Sequence, residues 1–191
     1  MVLMKEKIVV AFDTETTGLI KPDVMEPEKQ PEIIELYMAK LIHRSDGIIE
    51  QIDEIDTFLK PQFGEVSAEI QKITNITPEM VENAPLFCEV FPKIADFHVG
   101  VHAWVAHNCA FDTAMMANEI SRIGKIVHFP FPPEKICTVQ KTLHIEQRRM
   151  SLSNLYKELF GEEFPNAHRA KADVQAMIRC YKHLCKTGVI K

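Results

Sequence analysis

The sequence predicts an α/β domain in which a mixed β-sheet is packed by helices. Three observations carry that prediction. Residues 7–12, Lys-Ile-Val-Val-Ala-Phe, form a nearly continuous apolar, β-branched run that reads as a strand covered on both faces. Two further strands, about 33–42 and 48–59, flank Ser45-Asp46-Gly47, a hairpin-turn sequence. After Pro61 the pattern becomes helical and is interrupted by one short apolar strand.

Taken in order, Thr16-Thr17-Gly18-Leu19 turns the chain after the first strand. Residues 21–31 hold three prolines and several charges and read as an exposed loop. Alternation in the third strand slips near Asp53-Glu54. Ser67 caps a short helix through Ile73, and Thr77-Pro78 starts another. Residues 86–97 read as partly helical despite Pro92. Trp104-Val105-Ala106 is a buried strand, after which Asn108 caps a helix to about Ile123 that Gly124 ends. Residues 136–144 suit either a strand end or a helix. A helix from Ser151 to Phe160 stops at Gly161, and a last one runs from near Arg169 to Lys186.

Composition narrows the class. With 46% hydrophobic and 26% charged residues the chain is globular, neither disordered nor membrane-like. No apolar run approaches the roughly 20 residues of a membrane helix. Lys5, Glu6 and Lys7 near the start argue against a secretory signal, and the end lies just past the last helix. Five cysteines, an odd number without CxxC spacing, suit reduced thiols in a cytoplasmic protein. The net charge of −5 argues mildly against a protein that coats nucleic acid. Two divalent ions would bring it to −1, so a metal enzyme gripping only a strand end remains compatible.

The chemistry lies in carboxylates placed where core is expected. Asp13 follows the most apolar strand, and Glu15 lies two residues on, so strand alternation lets both point to one side. Ala170, Val174, Met177, Ile178, Tyr181 and Leu184 define the apolar stripe of the last helix, and Asp173 lies within it. Asp112 aligns similarly with Met116, Ile120 and Ile123. Any one such acid can be a cap or a salt-bridged core residue. Four together repel unless protons or metals intervene. An all-oxygen donor set favours Mg²⁺ or Mn²⁺ over zinc, and two such ions about 4 Å apart activate water and stabilise a leaving oxygen. Cys109 has no second soft ligand at suitable spacing for zinc. His168, five residues before Asp173, belongs on the loop leading into the helix, where it can take a proton near neutral pH.

Three segments then become recognisable: Phe12-Asp13-Thr14-Glu15-Thr16-Thr17-Gly18-Leu19, His107-Asn108-Cys109-Ala110-Phe111-Asp112, and His168-Arg169-Ala170-Lys171-Ala172-Asp173. In this order they resemble the three motifs of the DEDDh exonucleases, the DnaQ-like group that includes proofreading subunits of bacterial replicative polymerases. The resemblance continues through Ile33-Ile34-Glu35, Phe58-Leu59-Lys60-Pro61, Ile73-Thr74 and Ser151-Leu152-Ser153-Asn154-Leu155. It spans about residues 8–185, one exonuclease domain within 1–191.

The resemblance implies a ribonuclease H-like fold, two metal ions and release of 5′-mononucleotides from a 3′ end. Asp13, Glu15 and Asp173 would hold the first ion and Asp13 the second, which Asp112 helps to position, mostly through water. His168 would be the general base. Backbone around Thr16 and Gly18 would meet the terminal nucleotide, with Leu19 wedged against its base. Glu35 matches a position that contacts the terminal sugar in relatives, and Asn108 and Phe111 of the second motif are further candidate substrate contacts. Gln71-Lys72 stands where many relatives carry His-Gly, which removes one possible substrate contact.

Arg148-Arg149, with Lys141 nearby, can hold phosphates of the incoming strand or form a solvated patch. Trp104 and most phenylalanines read as core. The leading expectation is a 3′→5′ exonuclease on single-stranded or frayed DNA, as a proofreader or trimming enzyme, with polymerase association possible and no membrane partner. An exoribonuclease of the same family is the rival, since the 2′-hydroxyl contact that separates them leaves no mark in the motifs. A non-catalytic strand-end binder is a third reading, against which the intact acid set speaks.

Overall fold

The computed structural model describes residues 6–44 and 46–190. Ser45 of the expected hairpin turn and the start of the chain, residues 1–5, lie outside the described residues. One five-stranded sheet organises the molecule, in the order β3-β2-β1-β4-β5. The strands are β1 (Lys7–Thr16), β2 (Ile33–His43), β3 (Ile49–Phe58), β4 (Ala103–Ala106) and β5 (Glu134–Cys137). The pairs β1–β2 and β2–β3 are antiparallel, whereas β1–β4 and β4–β5 are parallel. The mixed sheet expected from the sequence is therefore present.

The first strand is longer than the apolar run that announces it. Pairing with β2 carries it on to Thr16, so Asp13 and Glu15 lie within the strand rather than after it. The ladder partners of β2 override the change in local polarity. The slip expected near Asp53 is a bulge: Lys40 pairs with Asp53 and Leu41 with Gln51, leaving Ile52 over.

Helices cover both faces. They are α1 (Ala68–Thr74), α2 (Pro78–Glu82), α3 (Phe87–Phe97), α4 (Cys109–Arg122), α5 (Thr138–Lys141), α6 (Leu143–Glu146), α7 (Leu152–Phe160) and α8 (Ala170–Lys186). The ambiguous 136–144 stretch resolves into the end of β5 followed by two short helices. Ser67 and Ser151 accept hydrogen bonds from the Ile70 and Asn154 amides, as N-cap serines do. Gly161 ends α7 at φ 72°, a conformation open to glycine without strain. Asn108 corrects its expected role: it precedes α4 in a left-handed conformation, φ 75°, and its side chain does not cap the helix. Its Oδ1 instead accepts from Arg149 Nη2 at 2.8 Å.

The core lies on both sides of β1. On one face Phe12 packs against the fully buried Trp104, whose indole N–H donates to His98 Nε2 at 2.8 Å. On the other, α8 buries Val174, Met177, Tyr181 and Leu184 against β1 and β2. Of the aromatic residues read as core, Trp104, Phe12, Phe87, Phe97 and Phe129 are buried, most of the other phenylalanines are half-buried, and Phe63 is 58% exposed. The 21–31 loop is mostly exposed but not loose. Arg122 donates to the carbonyls of Pro27, Gln30 and Pro31, and Gln30 ties both sides of the loop through Lys21 and Val24.

Candidate active site

Odd-numbered residues of β1 face α8, and even-numbered ones face the opposite layer. Asp13 and Glu15 therefore share a face, opposite Tyr37 and Glu35 of β2. Asp173 arrives from the first turn of α8. Carboxylate oxygens of Asp13, Glu15 and Asp173 all lie within 4.8 Å of one another. Asp112 comes from α4 on the other side. Its Oδ1 accepts from Thr14 N at 3.1 Å and Thr14 Oγ1 at 2.8 Å, which fixes it beside the end of β1. Two helices thus deliver one acid each from opposite faces to the carboxyl end of the central strand, where α/β sheets commonly bind ligands.

Glu15 and Glu35 are direct cross-strand partners, an arrangement of like charges that destabilises a sheet. Arg169 resolves it. Its Nε lies 3.2 Å from both Glu35 oxygens and its Nη2 2.7 Å from Oε1, while the Ala170 amide donates to Oε2 at 3.0 Å. Glu35, expected at the terminal sugar, is buried and spends its carboxylate on seating the start of α8. That pairing is one the sequence reading missed. The pairings of Thr14 with Asp112 and of Arg149 with Asn108 are others.

The electrostatics of the remaining acids suit a bound cation. Burial first, then Asp112, Glu15, Asp173 and Glu35, holds the Asp13 carboxyl well above its ordinary value. Burial, followed by Asp173 and Glu35, pushes Glu15 up to about 8. Burial raises Asp112 to about 7, against the opposing hydrogen bonds from Thr14. Asp173 is raised to about 6, again by burial, with the His168 amide pulling the other way. Asp173 Oδ1 is buried and meets no donor among the described residues, a costly state for an acceptor. A divalent cation removes both penalties at once, and the all-oxygen donors suit Mg²⁺ or Mn²⁺. Cys109 is no competitor: burial pushes its thiol up to about 11, so it stays protonated.

His168 sits on the irregular segment before α8, exposed, at φ 67°. Its amide donates to Asp173 Oδ2 at 3.2 Å, which ties the histidine backbone to the acid cluster. Thr16 Oγ1 donates to Gly18 O at 2.7 Å, closing the turn after β1, and Leu19 projects from it 79% exposed. Glu32 braces this turn through its backbone, accepting from Thr17 N and donating to Thr17 Oγ1, each at 2.9 Å, while its carboxylate accepts from the amides of Gln62, Phe63 and Gly64 at 2.6–2.9 Å. A Cβ on Gly64 would come within 3.3 Å of Glu32 and 3.4 Å of Thr17, so glycine permits the close approach. Phe111 is half-buried beside Asp112, and Asn108 is exposed but engaged by Arg149.

Comparisons with known proteins agree with this geometry. A family model described as Exonuclease (RNase_T) matches residues 10–181. The chain is 32% identical over 173 residues to a DNA polymerase III PolC-type of Clostridium perfringens, covering 91% of this chain and 11% of that protein. It is 30% identical over 195 residues to the Staphylococcus aureus protein of the same name, covering 99% of this chain and 12% of its length. The chain therefore spans only about a ninth of these relatives. In fold it is similar to the nuclease domain of 3′hExo, a DEDDh member bound to rAMP, with a TM-score of 0.74, 17% identity and coverage of 96% and 94% of the two chains. It is also similar to Exonuclease X in complex with 5′ overhanging duplex DNA, with a TM-score of 0.61, 23% identity and coverage of 94% and 93%. With the family model running across the acids of β1, α4 and α8, the chain belongs to the exonuclease family, and it shares the fold of a DEDDh nuclease domain.

Proposed function

We propose that the chain is a 3′→5′ exonuclease that hydrolyses the terminal phosphodiester of DNA and releases 5′-mononucleotides, as a proofreading or trimming activity. The convergence of Asp13, Glu15 and Asp173 oxygens within 4.8 Å carries the reading. In it, Asp13, Glu15 and Asp173 hold one divalent ion, Mg²⁺ or Mn²⁺, and Asp13 contributes to a second that Asp112 positions. When bound, such ions activate water and stabilise charge on the leaving oxygen.

The protein's own side chains do the rest. His168 takes the proton of the attacking water, and the hydrogen bond from its backbone amide to Asp173 supports that role by holding the residue at the acids. The Arg169–Glu35 pair fixes the start of α8 and hence Asp173. Leu19, exposed on its braced turn, wedges against the terminal base, with the Thr16–Gly18 backbone at the sugar and phosphate. Phe111 lines the same end, and Arg149 presents Asn108 to the strand. DNA is favoured over RNA because the relatives at 30–32% identity are DNA polymerases, which also supports action beside a polymerase in the bacterial cytoplasm. No described helix is long and apolar enough to cross a membrane.

Matched 5′-labelled DNA and RNA oligonucleotides, incubated with Mg²⁺ or Mn²⁺, test the reading. A ladder shortening from the 3′ end, faster on DNA, is the expected result. Faster shortening of RNA would assign an exoribonuclease, and unchanged bands in both metals would leave only a strand-end binder.

A further inference from the structure

A second feature lies at the other end of the sheet, where β1, β4 and β5 begin and α8 ends. It is a cavity of about 780 Å³, inside the roughly 300–1,000 Å³ range of ligand sites. Val9, Ile49, Ala103, Ile136 and Ile190 give it apolar walls. One wall is closed by Tyr181, whose hydroxyl lies 2.9 Å from His43 Nε2. Around it stand four exposed cations, Lys7, Arg44, Lys182 and Lys186, and among the described lining residues Glu134 is the only acid. Arg44 is paired with Glu50 at 2.6 Å and with Glu6 at 3.8 Å, so its charge is already matched. Lys7, Lys182 and Lys186 make no ion pair among the described residues. In a chain with 22 basic and 27 acidic residues, this is a local reversal of sign.

The cavity is separate from the acid cluster. Val9 and Asp13 are four residues apart on β1, about 13 Å at the rise of a strand. Apolar walls select an apolar body, and a nucleic-acid backbone would leave them bare. The unpaired cations come from two elements: Lys7 on β1, and Lys182 and Lys186 on two successive turns of α8. Cations spread in this way match several negative charges rather than one anionic head. We propose that the cavity docks a short segment of a partner protein in which bulky apolar side chains are flanked by aspartate or glutamate. A partner seated there would hold the enzyme by the end remote from strand entry. Because its readout is peptide binding, this inference can fail or succeed independently of the nuclease reading.

Fluorescence polarisation on the full chain tests it, with a fluorescein-labelled peptide DDFLDLFDD and its charge-reversed counterpart KKFLKLFKK as probes. Saturable binding of the acidic peptide alone is expected. The double variant Lys182→Glu/Lys186→Glu should weaken it by about tenfold or more, with nuclease rate and melting temperature unchanged. Equal binding of the two peptides, or affinity untouched by the double variant, would overturn the proposal. So would saturable binding of decanoate without binding of either peptide, which would reassign the cavity to a small amphipathic anion.

Discussion

Asp13 stands at the crossing of every charge in the site, with Asp112, Glu15, Asp173 and Glu35 all raising its proton affinity. Replacing it should therefore separate stability from activity. Asp13→Asn is expected to retain less than about a tenth of wild-type turnover while the metal-free protein melts no lower, because repulsion is relieved. Turnover near wild type in single-turnover assays would exclude Asp13 from the ion set. His168→Ala should slow the chemical step by about 10²–10⁴-fold with strand affinity intact; a variant that binds weakly yet cuts fast would remove it as the base. The four acids were legible because they contradict their surroundings: Asp112 and Asp173 interrupt apolar helical stripes, and Asp13 and Glu15 extend an apolar strand. The partners that hold them were not. Arg169 lies 134 residues from Glu35 in sequence, and only the paired strands reveal that Glu35 faces Glu15 and needs a cation.

The 21–31 segment looks like a free loop in sequence, because prolines and charges carry no trace of what latches them. The latch is Arg122, at the end of α4. It forms a buried 2.7 Å pair with Glu119 and bonds three loop carbonyls, while Glu119 also accepts from the Ile33 amide at 2.9 Å. Arg122→Ala leaves that carboxylate without its cation and should cost about 3 kcal/mol or more of stability. Urea unfolding would measure the loss, and hydrogen exchange should rise first within 21–31. An unchanged midpoint would mean the loop is held by Gln30 alone. Asn108 shows the reverse failure. Its residue type reads as a cap, but a left-handed backbone turns the side chain away from the helix amides and toward Arg149.

The acids give the molecule as a whole a dependence on pH that cations should cancel. The site carboxyls titrate higher when folded than in the unfolded chain, where 3.8 for aspartate and 4.5 for glutamate apply; Glu15 reaches about 8 and Asp112 about 7. The folded metal-free protein thus holds protons that the unfolded chain has lost, so its stability falls as pH rises from about 4 through about 8. Saturating Mg²⁺ should therefore raise the melting temperature more at pH 8 than at pH 6, and an equal or smaller gain at pH 8 would count against a cation in the cluster. The sheet and its helices were largely readable from periodicity, whereas the basic-rimmed cavity was not, since its walls come from separate elements that no local pattern connects. One last consequence follows from how β1 is held. It is bonded to β4 over Val9–Ala11 and to β2 along its whole length, whereas His168 rides on an irregular segment outside the sheet. Gentle heating should loosen the histidine arm before the floor beneath it. If His168 is the base proposed, the half-warmed protein would still bind divalent ions after it had stopped cutting.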